Sequence, residues 1–393
     1  MTRWLNRVAT VLAVALLLFF LIAPGQVDRR MNRVAGDAGP APSADAQRMY
    51  DTLAVADLHA DVLLWARNIR YRYDRGHIDL PRLQDAGVAL QVFSAVTRVP
   101  TGLNYERNSA TGGDLITWLA LTEWWPPHTW FSLRNRALYQ AAKLDRFASD
   151  SDGQLVVIHS REDLEVFLRR RQASPRMVAG VLSLEGLHAM EGRMDALQAL
   201  FNAGYRLFGL AHFFDNEVAG SAHGEAQGGL TPLGREALAW MEAHRAIVDL
   251  AHSSPATVDE VLDLATRPIV VSHTGVQGTC PGPRNLTDAQ IDRIAAKGGL
   301  IGIGFWDAAV CELSAASIAR ALRYTADRAG VDHVALGSDF DGATTTPFDA
   351  TGLPHLVPAL LQEGFSGAEV GQIMGGNVIR FLRENLPEDT AGP

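Results

Sequence analysis

Eight short runs of β-branched and apolar residues recur along this chain, and most of them stop at a histidine or a carboxylate. They are Ala54–His59, Val88–Val96, Val178–Glu185, Tyr205–His212, Ala246–His252, Ile269–His273, Leu300–Phe305 and Val334–Phe340. Segments with helical spacing separate most of them, among them Met194–Ala203, Arg235–Ala243, Ala256–Ala265 and Ala315–Ala329. Runs this apolar read as strands covered on both faces, and alternation with helices predicts a parallel sheet. Eight such units predict an α/β fold of the (β/α)8 TIM-type barrel kind, with a doubly wound open sheet as the alternative that periodicity alone leaves. The chain has 393 residues, 47% of them hydrophobic and 20% charged, a balance that suits one large core and excludes disorder.

In a barrel the C-terminal ends of the strands converge on one mouth, so residues far apart in sequence share one pocket. The first strand ends in Asp57-Leu58-His59-Ala60-Asp61, the third in Glu185, the fourth in His212 and the fifth in Asp249 to His252. The sixth ends in His273 and the eighth in Ser338-Asp339-Phe340-Asp341-Gly342. A lone strand-end histidine is usually a satisfied core or rim residue; so many imidazoles and carboxylates in one topological position predict a metal site. Imidazole with carboxylate suits zinc, and also manganese or cobalt. His59, Asp61, Glu185, His252 and His273 are enough ligands for two ions, which need a negative group between them. A carbamylated lysine is one such group, but the only lysines, Lys143 and Lys297, end no strand. Glu185 remains the bridging candidate.

The segments DLHADVL, VLSLEGLHA, LFGLAHFFDN, GGLTPLG, VDLAHSS, VVSHTG, RNLTDAQ and ALGSDFDGA, in this order, resemble those of the membrane (renal-type) dipeptidase family, metallopeptidase family M19. The resemblance runs from about Val55 to Leu382. It implies a zinc-dependent dipeptidase that cleaves its substrate with a hydroxide held between two zinc ions. It further implies that His59 and Asp61 bind one ion, that His252 and His273 bind the other, and that Glu185 bridges them. Asp339 matches the family's acid/base position, His212 a histidine that contacts substrate and oxyanion, and Arg284 an arginine that grips the terminal carboxylate. A homodimer is implied as well. Two departures stand out. The family's tyrosine after the seventh strand has no counterpart in Phe305-Trp306-Asp307-Ala308-Ala309, and the stretch from Arg98 to Arg176 matches poorly. Two other readings share the same pocket: a metal-dependent amidohydrolase acting on another amide or a lactone such as a β-lactam, and a membrane-tethered binding module without catalysis.

The N-terminus carries an uncharged run, Val8–Ala23, between Arg3 and Arg7 on one side and Arg29, Arg30 and Arg33 on the other. Its length lies between a signal-peptide core and the roughly 20 residues of a membrane span. Residues 1–27 are therefore expected to be a signal-anchor, uncleaved or cleaved, with the catalytic domain on the extracytoplasmic side. Residues 28–50, rich in Ala, Gly, Pro, Arg and Asp, read as a tether, and residues 51–388 as the barrel with an insertion at about 98–176. Cys280 and Cys311 are the only cysteines, which excludes a thiolate cluster. They fall where family members carry a disulfide; two free buried thiols are the alternative. With 35 Lys+Arg against 44 Asp+Glu and no basic run, nucleic acid is not an expected partner. Ser253 and Ser254 lack a nucleophile elbow, and the glycines at 298, 299, 302 and 304 lack the lysine of a phosphate loop. His188 reads either as a neighbour of the metal ligands or as a loop histidine, and His77 as structural. The aromatic stretch Trp124–Trp130 reads as a satellite core under the insertion, with contact to substrate or membrane as the alternative.

Overall fold

A computed structural model describes residues 2–388. Its strands in chain order are β1 Arg33–Val34, β2 Val55–Ala60, β3 Val88–Val96, β4 Leu155–Val157, β5 Val178–Glu185, β6 Tyr205–Gly209, β7 Ile247–Asp249, β8 Val270–Thr274, β9 Leu300–Ile303, β10 Val334–Leu336 and β11 Thr345–Thr346. All eight expected strands form, as β2, β3 and β5 to β10, and each pairs in parallel with its neighbours. The pairing of β3 with β5, from Leu90 against Ala179 to Val96 against Glu185, closes the ring. A closed parallel barrel replaces the open-sheet alternative. The short β4 is peripheral, as expected: it pairs only with Val178–Gly180 of β5, below the stretch that pairs with β6.

Every residue of β2, β3 and β5 is buried. One apolar cluster takes residues from all eight barrel strands, among them Leu58, Val92, Val181, Leu207, Val270 and Leu300. A contiguous set with that membership lies inside the ring. Phe381, Leu382 and Leu386 join it from the C-terminal segment. Arg245 and Arg267, just ahead of β7 and β8, donate to carbonyls of that segment, so the plug sits at the end of the barrel opposite the strand termini. The helices around the sheet begin at side-chain caps, including Thr231, Ser254, Thr287 and Ser314, each accepting a first-turn N–H. Ser254 is thus a helix cap, which accounts for a serine after His252 without a nucleophile.

Five helices precede β4: α1 Thr2–Met31, α2 Ala44–Tyr50, α3 Leu80–Asp85, α4 Leu115–Thr122 and α5 Leu133–Ser149. The apolar run lies in α1; the side chains at 12, 13, 15 and 16 lie outside those described. Among the described residues no helix is long and apolar enough to cross a membrane. Residues 28–50, read as a tether, are instead folded onto the barrel. Asp28 and Asn32 are buried, β1 pairs with β11, and Tyr50 Oη donates to Ala86 O at 2.5 Å. Small and turn-forming residues suggested a linker, but these few specific partners override composition. In the aromatic stretch, Trp125 and Trp130 pack with Leu64, Trp65, Val96 and Ile116, a satellite core as expected. Trp124 departs from it, turning outward at φ 58° and 70% exposed.

Candidate metal centre

The strand ends bring His59, Asp61, Glu185, His212, His252, His273 and Asp339 into one buried cluster. Glu185 is its hub. Its Oε1 lies 2.8 Å from His252 Nε2, 3.3 Å from His273 Nε2 and 3.7 Å from His59 Nε2, while Oε2 lies 3.3 Å from His212 Nε2. His59 Nε2 stands 3.3 Å from Asp61 Oδ2. Asp339 groups with His59 and His273, their ligand atoms all within 4.8 Å of one another.

The register of β2 against β3 slips between Asp57 and Ala60. This irregularity breaks the inward-outward alternation, so Leu58 packs inside the ring while His59 still reaches the mouth. Two strand-end carboxylates are spent on scaffolding. Asp57 accepts from Ser338 N at 2.7 Å, from Ser338 Oγ at 2.8 Å and from Gln91 Nε2 at 2.7 Å, tying β2 to the loop of Asp339. Asp249 accepts from Ala251 N at 3.0 Å and Ser272 N at 2.9 Å, fixing the turn into His252. His252 and Asp339 both hold positive φ, 61° and 59°, in conformations side chains seldom adopt. Surrounding structure must impose them, as functional sites often require. Gly342 makes room: a Cβ there would collide with the Asp339 carboxylate and come within 2.8 Å of Asp61 Oδ2.

The donor set fits divalent cations. Burial, with Arg284 among the opposing charges, holds His212, His252 and His273 well below the usual imidazole range, so all three are neutral, and His252 and His273 offer a lone pair. His252 Nε2 and His273 Nε2 face each other at 3.0 Å. A shared cation resolves that opposition. Burial lifts Glu185 well above the carboxylate range and Asp339 to about 8, with Asp61 adding repulsion in both cases. For His59, burial opposes protonation, but Asp61, Glu185 and Asp339 outweigh it and lift the imidazole to about 10. Asp61 Oδ1 is buried without a hydrogen-bond partner. Carboxylates crowded out of water in this way call for positive charge between them.

Arg284 reaches the same cavity. Its Nη2 donates to His273 O at 2.9 Å, its guanidinium lies 4.8 Å from the Trp306 ring centroid, and its Nε has no partner. Trp306 comes from the segment that lacks the expected tyrosine. His188 lies outside the ligand set: its Nε2 meets Thr97 Oγ1 at 2.9 Å, and burial with Arg98 lowers it to about 3. His77 is structural, its Nδ1 accepting from Asp341 N at 2.9 Å. Sequence reasoning missed Tyr105, Phe213 and His223. Tyr105 and Phe213 line the cavity, and His223 Nδ1 meets Tyr105 O at 2.7 Å. They lie on loops between elements, where no periodicity marks them. Cys280 and Cys311 form the disulfide, joining the loops after β8 and β9.

A closed parallel barrel whose strand ends gather neutral imidazoles and buried carboxylates around one glutamate is a metal-dependent hydrolase. The chain belongs to the membrane dipeptidase family, peptidase family M19, whose family model matches residues 43–391. Dipeptidase tcpJ of Claviceps purpurea is 29% identical over 346 residues, covering 81% of this chain and 75% of its own length. An uncharacterized dipeptidase of Schizosaccharomyces pombe is 30% identical over 361 residues, covering 87% and 83%. Among solved structures, a metallopeptidase from Rhodobacter sphaeroides liganded with a phosphinate mimic of the dipeptide L-Ala-D-Ala superposes with a TM-score of 0.69 at 27% identity, covering 86% of this chain and 100% of that one. The chain is accordingly a metallodipeptidase, a hydrolase acting on peptide bonds.

Proposed function

We propose that this enzyme hydrolyses dipeptides with two zinc ions, one held by His59 and Asp61, the other by His252 and His273, and both by Glu185. The observation that carries this is the convergence of four imidazole nitrogens on the two oxygens of Glu185. When bound, such ions supply Lewis acidity and lower the pKa of an attacking water toward neutrality. Asp339 takes the proton of that water on its carboxylate and returns it to the departing amine, as base and then acid. His212 Nε2 directs an N–H at the developing oxyanion, where a fixed donor acts more strongly than mobile water. Arg284 pairs with the free carboxylate of the substrate, for which the partnerless Nε and the fork geometry are suited. That pairing selects dipeptides over longer chains.

The test measures metal content alongside turnover of a dipeptide panel with free and amidated C-termini. Two equivalents of zinc and loss of activity on amidation are expected; one equivalent or fewer, or indifference to amidation, overturns the assignment.

We further propose that α1 attaches the enzyme to a membrane, with the barrel on the extracytoplasmic side. The charge-free run and the exposure of Val11, Leu17, Phe19, Leu21 and Ile22 support the attachment, and the disulfide supports an oxidising compartment. Recovery of the full chain in the soluble fraction of cells overturns the attachment. Family resemblance supports a homodimer, which light scattering of the detergent-solubilised chain checks.

A further inference from the structure

The family match starts at residue 43, so α1 lies outside the matched domain. It nonetheless borders the metal centre. A cavity of about 520 Å³ is bounded by the metal-site groups Asp61, Glu185, His252 and Asp339 and also by Ala23, Pro24, Val27 and Met31 of α1. Leu103, Ile116 and Leu119 from the stretch between β3 and β4 line it as well.

This end of α1 is fixed by buried polar contacts. Asp28 is 2% exposed, and its Oδ2 lies 2.9 Å from Arg67 Nε and 3.0 Å from Arg75 Nε. Arg67 in turn meets Asp341 Oδ1 at 2.8 Å. Asn32 donates to Asp28 Oδ1 at 2.9 Å and accepts from Ala343 N at 2.9 Å. Asp341 and Ala343 follow Asp339 in the same loop, and both hold positive φ. The helix is therefore clamped to the loop that carries the acid/base carboxylate. A buried ion pair of this kind adds little net stability, but it specifies position, and losing one partner is costly.

We propose that the Ala23–Met31 end of α1 is a specificity wall, which makes the enzyme prefer dipeptides with a large aliphatic or aromatic side chain. This rests on the dipeptidase reading above. Apart from the metal-site groups and Arg284, the cavity lining carries no charged side chain. A charged substrate side chain entering that part would lose water without gaining a partner, whereas an apolar one gains from leaving water.

The experiment uses the metal-loaded full chain and the Val27→Ser/Met31→Ser double variant. Non-hydrolysable phosphinate analogues of Leu-Leu, Gly-Gly and Asp-Gly are titrated by calorimetry, and kcat and KM are measured on the parent dipeptides. The wild type should bind the Leu-Leu analogue more than tenfold tighter than the Asp-Gly one. The double variant should lose about tenfold in Leu-Leu affinity and show a KM for Leu-Leu about tenfold higher, with the Leu-Leu to Gly-Gly affinity ratio falling by the same factor. Equal weakening of all analogues, or none, overturns the wall. An Asp28→Asn variant, which releases the clamp without altering the lining, should shift the same ratio in the same direction; an unshifted ratio counts against the clamp. Selective binding of the Leu-Leu analogue without turnover of any dipeptide would refute the dipeptidase reading while upholding the wall. Failure of the wild type to bind any analogue overturns both.

Discussion

Asp339 combines a left-handed backbone with a carboxylate that burial, helped by Asp61 and opposed by His59, lifts to about 8. Asp339→Asn removes the proton acceptor while keeping the shape of the side chain. Metal content should stay at the wild-type level, and kcat should drop ~10²–10⁴-fold, read by metal analysis and steady-state kinetics on one preparation. Retained turnover would refute the assignment. Arg284→Ala should raise KM for free dipeptides far more than for C-terminally amidated ones, because only the former present a carboxylate. His188 and His223 set a pH dependence of stability. Burial, with Arg98 and Arg284 respectively, lowers them to about 3 and about 4, against an ordinary value of 6.5. Above pH 6.5 both are neutral in the folded and unfolded chain, so they contribute no slope. As pH falls below 6.5 the unfolded chain takes up protons that the folded chain refuses, and stability declines. Thermal melts should show Tm falling from pH 6.5 toward 5, with a shallower decline in His188→Gln.

Elements were legible where one periodicity ran unbroken. The eight barrel strands and the helix Ala315–Ala329 stand where the pattern put them, because double-sided burial demands continuous apolar runs. Residues 28–50 were not, since two buried side chains, Asp28 and Asn32, and a two-residue strand decide their placement. The irregularity in β2 that lets His59 reach the mouth leaves no trace in sequence either, being set by pairing with β3. The cysteine pair spans 31 positions between two active-site loops. On loop-closure entropy, replacing both cysteines by alanine should cost about 3–4 kcal/mol in a urea melt, less to the extent that the reduced chain stays compact. A loss well under 1 kcal/mol would show that packing alone holds those loops.

At the scale of the whole molecule, the metal centre joins six strand ends into one structure. Its carboxylates repel one another out of contact with water, so cations that bind only the folded chain should stabilise it strongly. Dialysis against a chelator should lower Tm, and about 3 kcal/mol of stability should return when zinc is added at a hundredfold excess over its dissociation constant. A melt indifferent to chelation would mean the cluster is held by its own hydrogen bonds. The resemblance of eight ordered motifs carried the hydrolytic class; sequence alone otherwise determined which residue types stand at the strand ends, and hence an alternating α/β fold and a set of candidate cation ligands. Those follow from local rules, periodicity for the strands and ligand chemistry for the cations. Tertiary structure alone decided how four imidazoles are set about Glu185, that Asp57 and Asp249 are braces rather than ligands, and that α1 lines the cavity. Each depends on where a side chain points after ring closure, a geometry set by contacts between residues hundreds of positions apart.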